Sequence, residues 1–206
     1  MNDFNATELK IDFVGGASKH RRQFGGGRGQ PLARAIGISG DAPVVIDATA
    51  GTGSDGWVLA SLGCHMTWIE RSPAVHQRLA LALEQALEHP ETREIASRVT
   101  LVHADASDYI RTQLHSRPDV IYMDPMYPHK TKSAASRGPM QALQKLLGPD
   151  TDSDRLLQAA LTKAIKRVVV KRPRKADPVA GPRPSGSVPS PNTRYDIYAG
   201  GLLLPH

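Results

Sequence analysis

Apolar positions along this chain gather into short continuous runs, and longer stretches with helical spacing separate them. The run "APVVIDATAG" predicts a buried strand ending near Asp47, and "SDGWVLASLG" then predicts a short helix that Gly63 terminates. "HMTWIER" predicts a second strand. In "SPAVHQRLALALEQALEH", Ser72 takes the N-cap, Pro73 the first helical position, and Val75, Leu79, Leu83 and Leu87 form one stripe. "RVTLVHAD", "PDVIYMD" and "KRVVVKRP" predict the third, fourth and fifth strands, with helices over "ASDYIRTQLH" and "SDRLLQAALTKAI". "RYDIYAGGLLL" predicts a closing strand, and residues 173–191, rich in Pro, Gly and Ser, read as loop. Residues 13–34 hold six glycines, five basic residues and two phenylalanines, and the glycines there predict a mobile loop and no helix. Strands alternating with helices imply an α/β fold. Its parallel sheet is covered on both faces, and ligands bind at the carboxyl ends of the strands.

Composition narrows the setting. A chain of 206 residues suits one domain with a real core, and its lone cysteine, Cys64, excludes an intrachain disulfide or a cysteine zinc cluster. The eight histidines show no metal-binding spacing. The polar, acidic start "MNDFNATELKID" is unlike a signal peptide, and no apolar run reaches the length of a membrane span. These features together point to a reducing cytoplasm. Charge is unevenly spread: no Asp or Glu lies between Asp12 and Asp41, Asp124 and Asp150, or Asp154 and Asp177. Those stretches carry 17 of the 26 Lys and Arg, which favours a polyanion partner such as nucleic acid over a merely solvated surface.

The first strand runs into "DATAGTGSDGW", where Asp47 ends the strand and Gly51 and Gly53 bring the backbone close to a ligand. Glu70, ending the second strand, sits where a carboxylate accepts both ribose hydroxyls of an adenosine. The glycine spacing also suits NAD, but Asp55 would then place a negative charge beside a pyrophosphate. S-adenosyl-L-methionine has no phosphate and carries a sulfonium and an ammonium, so Asp55 selects it. Asp105, ending the third strand, is placed for the adenine amine or for capping the helix that starts at Ala106.

The fourth strand delivers "DPMYP" beside the methyl end of that cofactor. An exocyclic amine on a base is a poor nucleophile, because its lone pair is delocalised into the ring. The Asp124 carboxylate and the Pro125 carbonyl would hold its two N–H bonds and aim the lone pair, while Tyr127 stacks on the base. His129 and Lys130, Lys171 and Arg172 on a common face, and His20, Arg21, Arg22 and Arg28 in the glycine-rich loop are the candidate RNA contacts.

The segments "FVGGASKHRRQFGGGRG", "DATAGTGSDGWVLASLGC", "ERSP", "DPMYPHKTKSA", "GPD", "KRVVVKRP" and "RYDIYAG" together resemble the RsmJ family, from about Ile11 to Gly200. The resemblance implies a class I S-adenosylmethionine-dependent methyltransferase fold, Rossmann-like, with a mostly parallel seven-stranded sheet and helices on both faces. It implies methylation of a guanine N2 in bacterial 16S ribosomal RNA of the small subunit. It carries cofactor contacts onto Ser54, Asp55, Glu70, Arg71, Asp105, Ala106 and Asp124. Relatives often have Arg at the position of Ser54 and Ser at that of Asp105. On this reading residues 1–40 form a glycine- and arginine-rich segment and residues 41–206 the methyltransferase domain. Two other readings share these features: an amino-methyltransferase of adenine or cytosine in DNA, and a non-catalytic RNA-binding or assembly protein.

Overall fold

The computed structural model describes residues 9–125 and 152–200. Its sheet contains β1 (Val44–Asp47), β2 (His65–Glu70), β3 (Val99–His103), β4 (Val120–Met123), β5 (Arg167–Pro173), β6 (Gly186–Pro189) and β7 (Thr193–Ala199). The spatial order is β3-β2-β1-β4-β5-β7-β6. The first five strands run parallel to one another, and β7 lies antiparallel between β5 and β6. Strand order reverses between β1 and β4, so a crevice opens there at the carboxyl ends.

The helices are α1 (Gly16–Phe24), α2 (Pro31–Ile36), α3 (Ser54–Ser61), α4 (Pro73–Glu88), α5 (Arg93–Ala96), α6 (Ala106–Thr112) and α7 (Ser153–Lys163). Strand residues alternate between two cores. Val45, Met66, Trp68, Tyr122 and Val169 pack with α2, α3, α4 and Phe13, while Ile46, Ile69, Ile121, Met123, Val168 and Val170 pack with α6 and α7. Burial on both faces explains why these strands read as unbroken apolar runs.

Three expectations need correction. Residues 13–34 are not a loop: α1 occupies the run between the glycines, a 3-10 turn covers Gly27–Gly29, and α2 follows. The glycines act as ends, not breakers. Gly15 is the N-cap of α1 and Gly25 its C-cap, where an added Cβ would lie 2.3 Å from the Arg21 carbonyl oxygen. Asp12 organises the entry to α1, its Oδ1 accepting the N–H groups of Val14 and Gly15 at 2.9 Å. Within 173–191, β6 adds an edge strand to β7, a position that tolerates Pro189. In α4, Ser72 and Pro73 sit as expected, but Leu87 is exposed and the buried stripe instead includes Ala82 and Ala86.

Among the described residues no helix is long and apolar enough to cross a membrane. Among the same residues, no group of His, Cys, Asp and Glu is placed to hold a metal ion.

Candidate active site

The switch point is built from backbone first. After β1, the Ala48 N–H donates to the Tyr122 carbonyl at 2.9 Å and the Ala50 N–H to the Ile69 carbonyl at 3.1 Å, which ties the turn to both flanking strands. Thr49 reaches across: its Oγ1 accepts the Asp124 N–H at 2.7 Å and so anchors the residue that ends β4. Pro125, next in the chain, is buried.

Lys171, Asp55, Arg21 and the Tyr122 phenol converge beside this anchor. Lys171 Nζ donates to Asp55 Oδ2 at 2.8 Å and to Asp124 Oδ2 at 2.9 Å. Tyr122 Oη donates to Asp55 Oδ2 at 2.7 Å, and Arg21 donates to Asp55 Oδ1 at 2.8 Å. Burial opposes the charge of Asp55, but Lys171 and Arg21 more than offset it and hold the carboxyl far below its usual range. Burial likewise opposes the Lys171 charge, and Asp124 and Asp55 outweigh it, keeping the ammonium protonated. Asp47 behaves differently. Burial, opposed by the Thr49 N–H bond but reinforced by the charges of Asp55 and Asp124, pushes its carboxyl up to about 8. Tyr195, across β7, has its phenol pushed up to about 12 by burial and the Asp55 charge.

The other half of the crevice is organised by Glu70. Its buried carboxylate accepts the Gly51 N–H at 2.9 Å and the Ser72 N–H at 2.8 Å, clamping the glycine turn and the start of α4 to the end of β2. Gly51, at φ +55°, is left-handed, as its turn requires. Gly53, at φ +73°, is left-handed too and has a second reason. An added Cβ would lie 2.8 Å from both Phe13 and Trp68, and one on Gly56 would lie 2.3 Å from Trp68 Nε1. Gly53 and Gly56 thus also make room for aromatic rings of the core. Ser54 Oγ lies 2.9 Å from Thr52 Oγ1. Asp105 Oδ1 accepts the Asp108 N–H at 3.0 Å as N-cap of α6, whose first residue is Ala106. Arg71 donates to Asp152 at 3.1 Å, and its carbonyl oxygen lies 3.2 Å from His103 Nε2.

Of the basic residues, Arg21 is paired with Asp55, Arg22 donates to Glu91 at 3.2 Å, and Arg28 donates to the Gly40 carbonyl at 3.0 Å. His20 packs against Phe24, with ring centroids 5.1 Å apart. Lys171 and Arg172 do not share a face, because neighbouring strand residues alternate. Lys171 enters the carboxylate cluster, and the buried Arg172 donates to the Asp177 carbonyl at 2.7 and 3.0 Å. Tyr127, His129 and Lys130 lie outside the described residues.

Sequence reasoning missed Thr49, Tyr122, Tyr195 and the engagement of Lys171. Tyr122 had a visible signal, since a hydroxyl in an apolar strand two residues before Asp124 shares its face. Lys171 had none: the β4–β5 register, Met123 opposite Val170, is what places it beside Asp124.

Residues 1–200 match a family model described as "Putative SAM-dependent methyltransferase". Ribosomal RNA small subunit methyltransferase J of Hydrogenovibrio crunogenus is 55% identical over 192 residues, which cover 92% of this chain and 69% of that protein. The protein of the same name from Laribacter hongkongensis is 52% identical, covering 93% and 68%. The crystal structure of the SAM-dependent methyltransferase NGO1261 from Neisseria gonorrhoeae superposes with a TM-score of 0.76 at 37% identity, covering 96% of this chain and 78% of that one. With the sheet order, the acidic switch point and these matches in hand, the chain belongs to the S-adenosylmethionine-dependent ribosomal RNA small subunit methyltransferase J family.

Proposed function

We propose that this protein methylates the exocyclic N2 of a guanine in bacterial 16S ribosomal RNA, in the cytoplasm, with Asp124 at the reacting end of the site. The observation that carries this reading is the double anchoring of Asp124. Its N–H is held by Thr49 Oγ1 and its carboxylate by Lys171, so a strand-end acid is presented in one orientation at the switch point.

The acidic crevice fits S-adenosylmethionine, which supplies an electrophilic methyl group on a sulfonium when bound. Asp47, buried and held protonated into the neutral range, is a site where an added positive charge is stabilising. Glu70, Arg71, Ser54, Asp105 and Ala106 line the ends of β2 and β3 and the start of α3, where the adenosine would lie. Asp55, fully engaged with Lys171, Arg21 and Tyr122, would act on the ligand through its field more than by direct contact.

Asp124 would accept one amine hydrogen and the Pro125 carbonyl the other, which turns the nitrogen lone pair towards the methyl carbon. Orientation of this kind supplies at best about 7–11 kcal/mol of a barrier. The proton shed after transfer leaves by way of the half-exposed Asp124 carboxylate. Tyr127 would stack on the base, a contact of about 1–3 kcal/mol. Basic side chains near the crevice would hold the flanking phosphates, with Arg21 and Arg22 doing so beside their existing carboxylate partners.

Tritium transfer from labelled cofactor tests the reading. Label is expected in small-subunit RNA and absent from DNA, and S-adenosylhomocysteine, not NAD, is expected to stabilise the protein thermally. Label in DNA alone would assign the protein to another amine substrate. Stabilisation by NAD alone would remove the methyltransferase chemistry.

A further inference from the structure

We infer that Lys171 is a positioning residue: its ammonium keeps the Asp124 carboxylate ionised and fixed in orientation, and it is not an RNA phosphate contact. The inference rests on the proposed role of Asp124. Geometry carries it. Nζ lies 2.8 Å from Asp55 Oδ2 and 2.9 Å from Asp124 Oδ2, and the Lys171 side chain is only 23% exposed. To meet a phosphate it would have to abandon two carboxylates and leave both without their shared cation, a costly exchange in a site this shielded.

The need for a cation follows from what surrounds Asp124. Lys171 from β5 joins it to Asp55 from α3, and the Asp124 charge acts on Asp47 from β1, Tyr122 from its own strand and Tyr195 from β7. Arg21, from α1, reaches the cluster through Asp55 Oδ1. Lys171 therefore bridges two ionised carboxylates, Asp55 and Asp124. Arg21 offsets the negative charge that Asp55 would otherwise exert beside Asp124. Without Lys171, Asp124 would lose the ammonium 2.9 Å away and take up a proton at a higher pH. A protonated carboxyl is a weaker acceptor and presents an O–H, so it would grip the substrate amine poorly.

The test is the carboxyl titration of Asp124, followed by carbon-13 NMR in protein labelled at the aspartate carboxyl carbons, with Asp124→Asn identifying the resonance. Lys171→Met should raise the midpoint by at least about one pH unit, as loss of an adjacent opposite charge does. Asp55→Asn should lower it, because Lys171 then serves Asp124 alone. This second variant keeps the test alive if Lys171→Met folds poorly. Unchanged midpoints in both would overturn the inference. Single-turnover methylation gives an independent readout. In Lys171→Met the acid limb of the rate–pH profile should move upwards, with the plateau recovered at high pH. An unmoved profile, accompanied by weaker RNA binding and a shallower salt dependence, would make Lys171 a phosphate contact and sink the proposal. Should the unaltered protein methylate no RNA, the proposed function falls, while the NMR titration still decides whether Lys171 holds Asp124.

Discussion

Glu70 is placed where a cofactor ribose is expected, yet its carboxylate already serves two backbone donors, Gly51 N–H and Ser72 N–H. Its replacement therefore has two consequences. Glu70→Gln leaves one of those N–H groups facing an amide donor, and a buried donor left without an acceptor costs about 1–3 kcal/mol. We expect a stability loss of that order in urea denaturation, together with loss of most of the thermal stabilisation by S-adenosylhomocysteine. Full stability with normal ligand response would show that Glu70 neither clamps the turn nor serves the cofactor. Asp47 gives a prediction in pH. Its carboxyl is raised from an unfolded value of 3.8 to about 8, chiefly by burial, so the fold binds its proton more tightly than the unfolded chain does. That contribution is complete below about pH 4 and is lost as pH rises through about 8. Asp47→Asn, always neutral and still able to accept from Thr49, should match the parent protein near pH 4. It should then exceed it increasingly up to about pH 8, and by a constant margin above. A stability difference that does not vary with pH would contradict the burial argument.

At the scale of elements, the glycine turn shows how one residue type can be required for reasons a sequence does not distinguish. Gly51 is bound by its N–H to Glu70, whereas Gly53 and Gly56 make room for Phe13 and Trp68. Gly53→Ala and Gly56→Ala should each destabilise the protein by about 1–3 kcal/mol, as overpacking does. The loss should appear in denaturation without cofactor. Unchanged stability with loss of cofactor binding alone would contradict this packing role. The strands and the helices after them were legible, because apolar runs bounded by Ser72, Pro73 and Gly63 carry their own signals. The helix α1 was not, since glycine counts predict flexibility while the position of each glycine decides its effect. Gly15 and Gly25 bracket a run with good helix formers, and Phe13 stacks on Trp57 at 4.5 Å to fasten its start. The edge strand β6 was also missed, because "GSVP" earns its strand state only by pairing with β7.

For the whole molecule, charge counted along the chain and charge available in space differ. The acid-free stretches suggested rows of unopposed cations. Folding brings Arg21 to Asp55, Arg22 to Glu91, Lys166 to Asp119 and Lys171 to Asp55 and Asp124, all acids from other segments. A basic stretch thus becomes partly a set of internal tethers, and the tether at Arg21 links the N-terminal helix to the acidic cluster. The fold class was readable because alternation of strands and helices is a local property. The places of Asp124 and Glu70 at strand ends were readable because the apolar runs before them mark those strands. The convergence of Asp47, Asp55, Lys171 and Tyr195 was not, because it depends on register between strands far apart in sequence. The central claim remains that Asp124 serves transfer of a methyl group to a guanine amine in small-subunit RNA. The direct measurement is nucleoside mass spectrometry of 16S ribosomal RNA incubated with the protein and cofactor bearing a deuterated methyl group. We predict labelled N2-methylguanosine with the unaltered protein and none with a folded Asp124→Ala variant. Label on another nucleoside, or equal label with Asp124→Ala, would contradict the account.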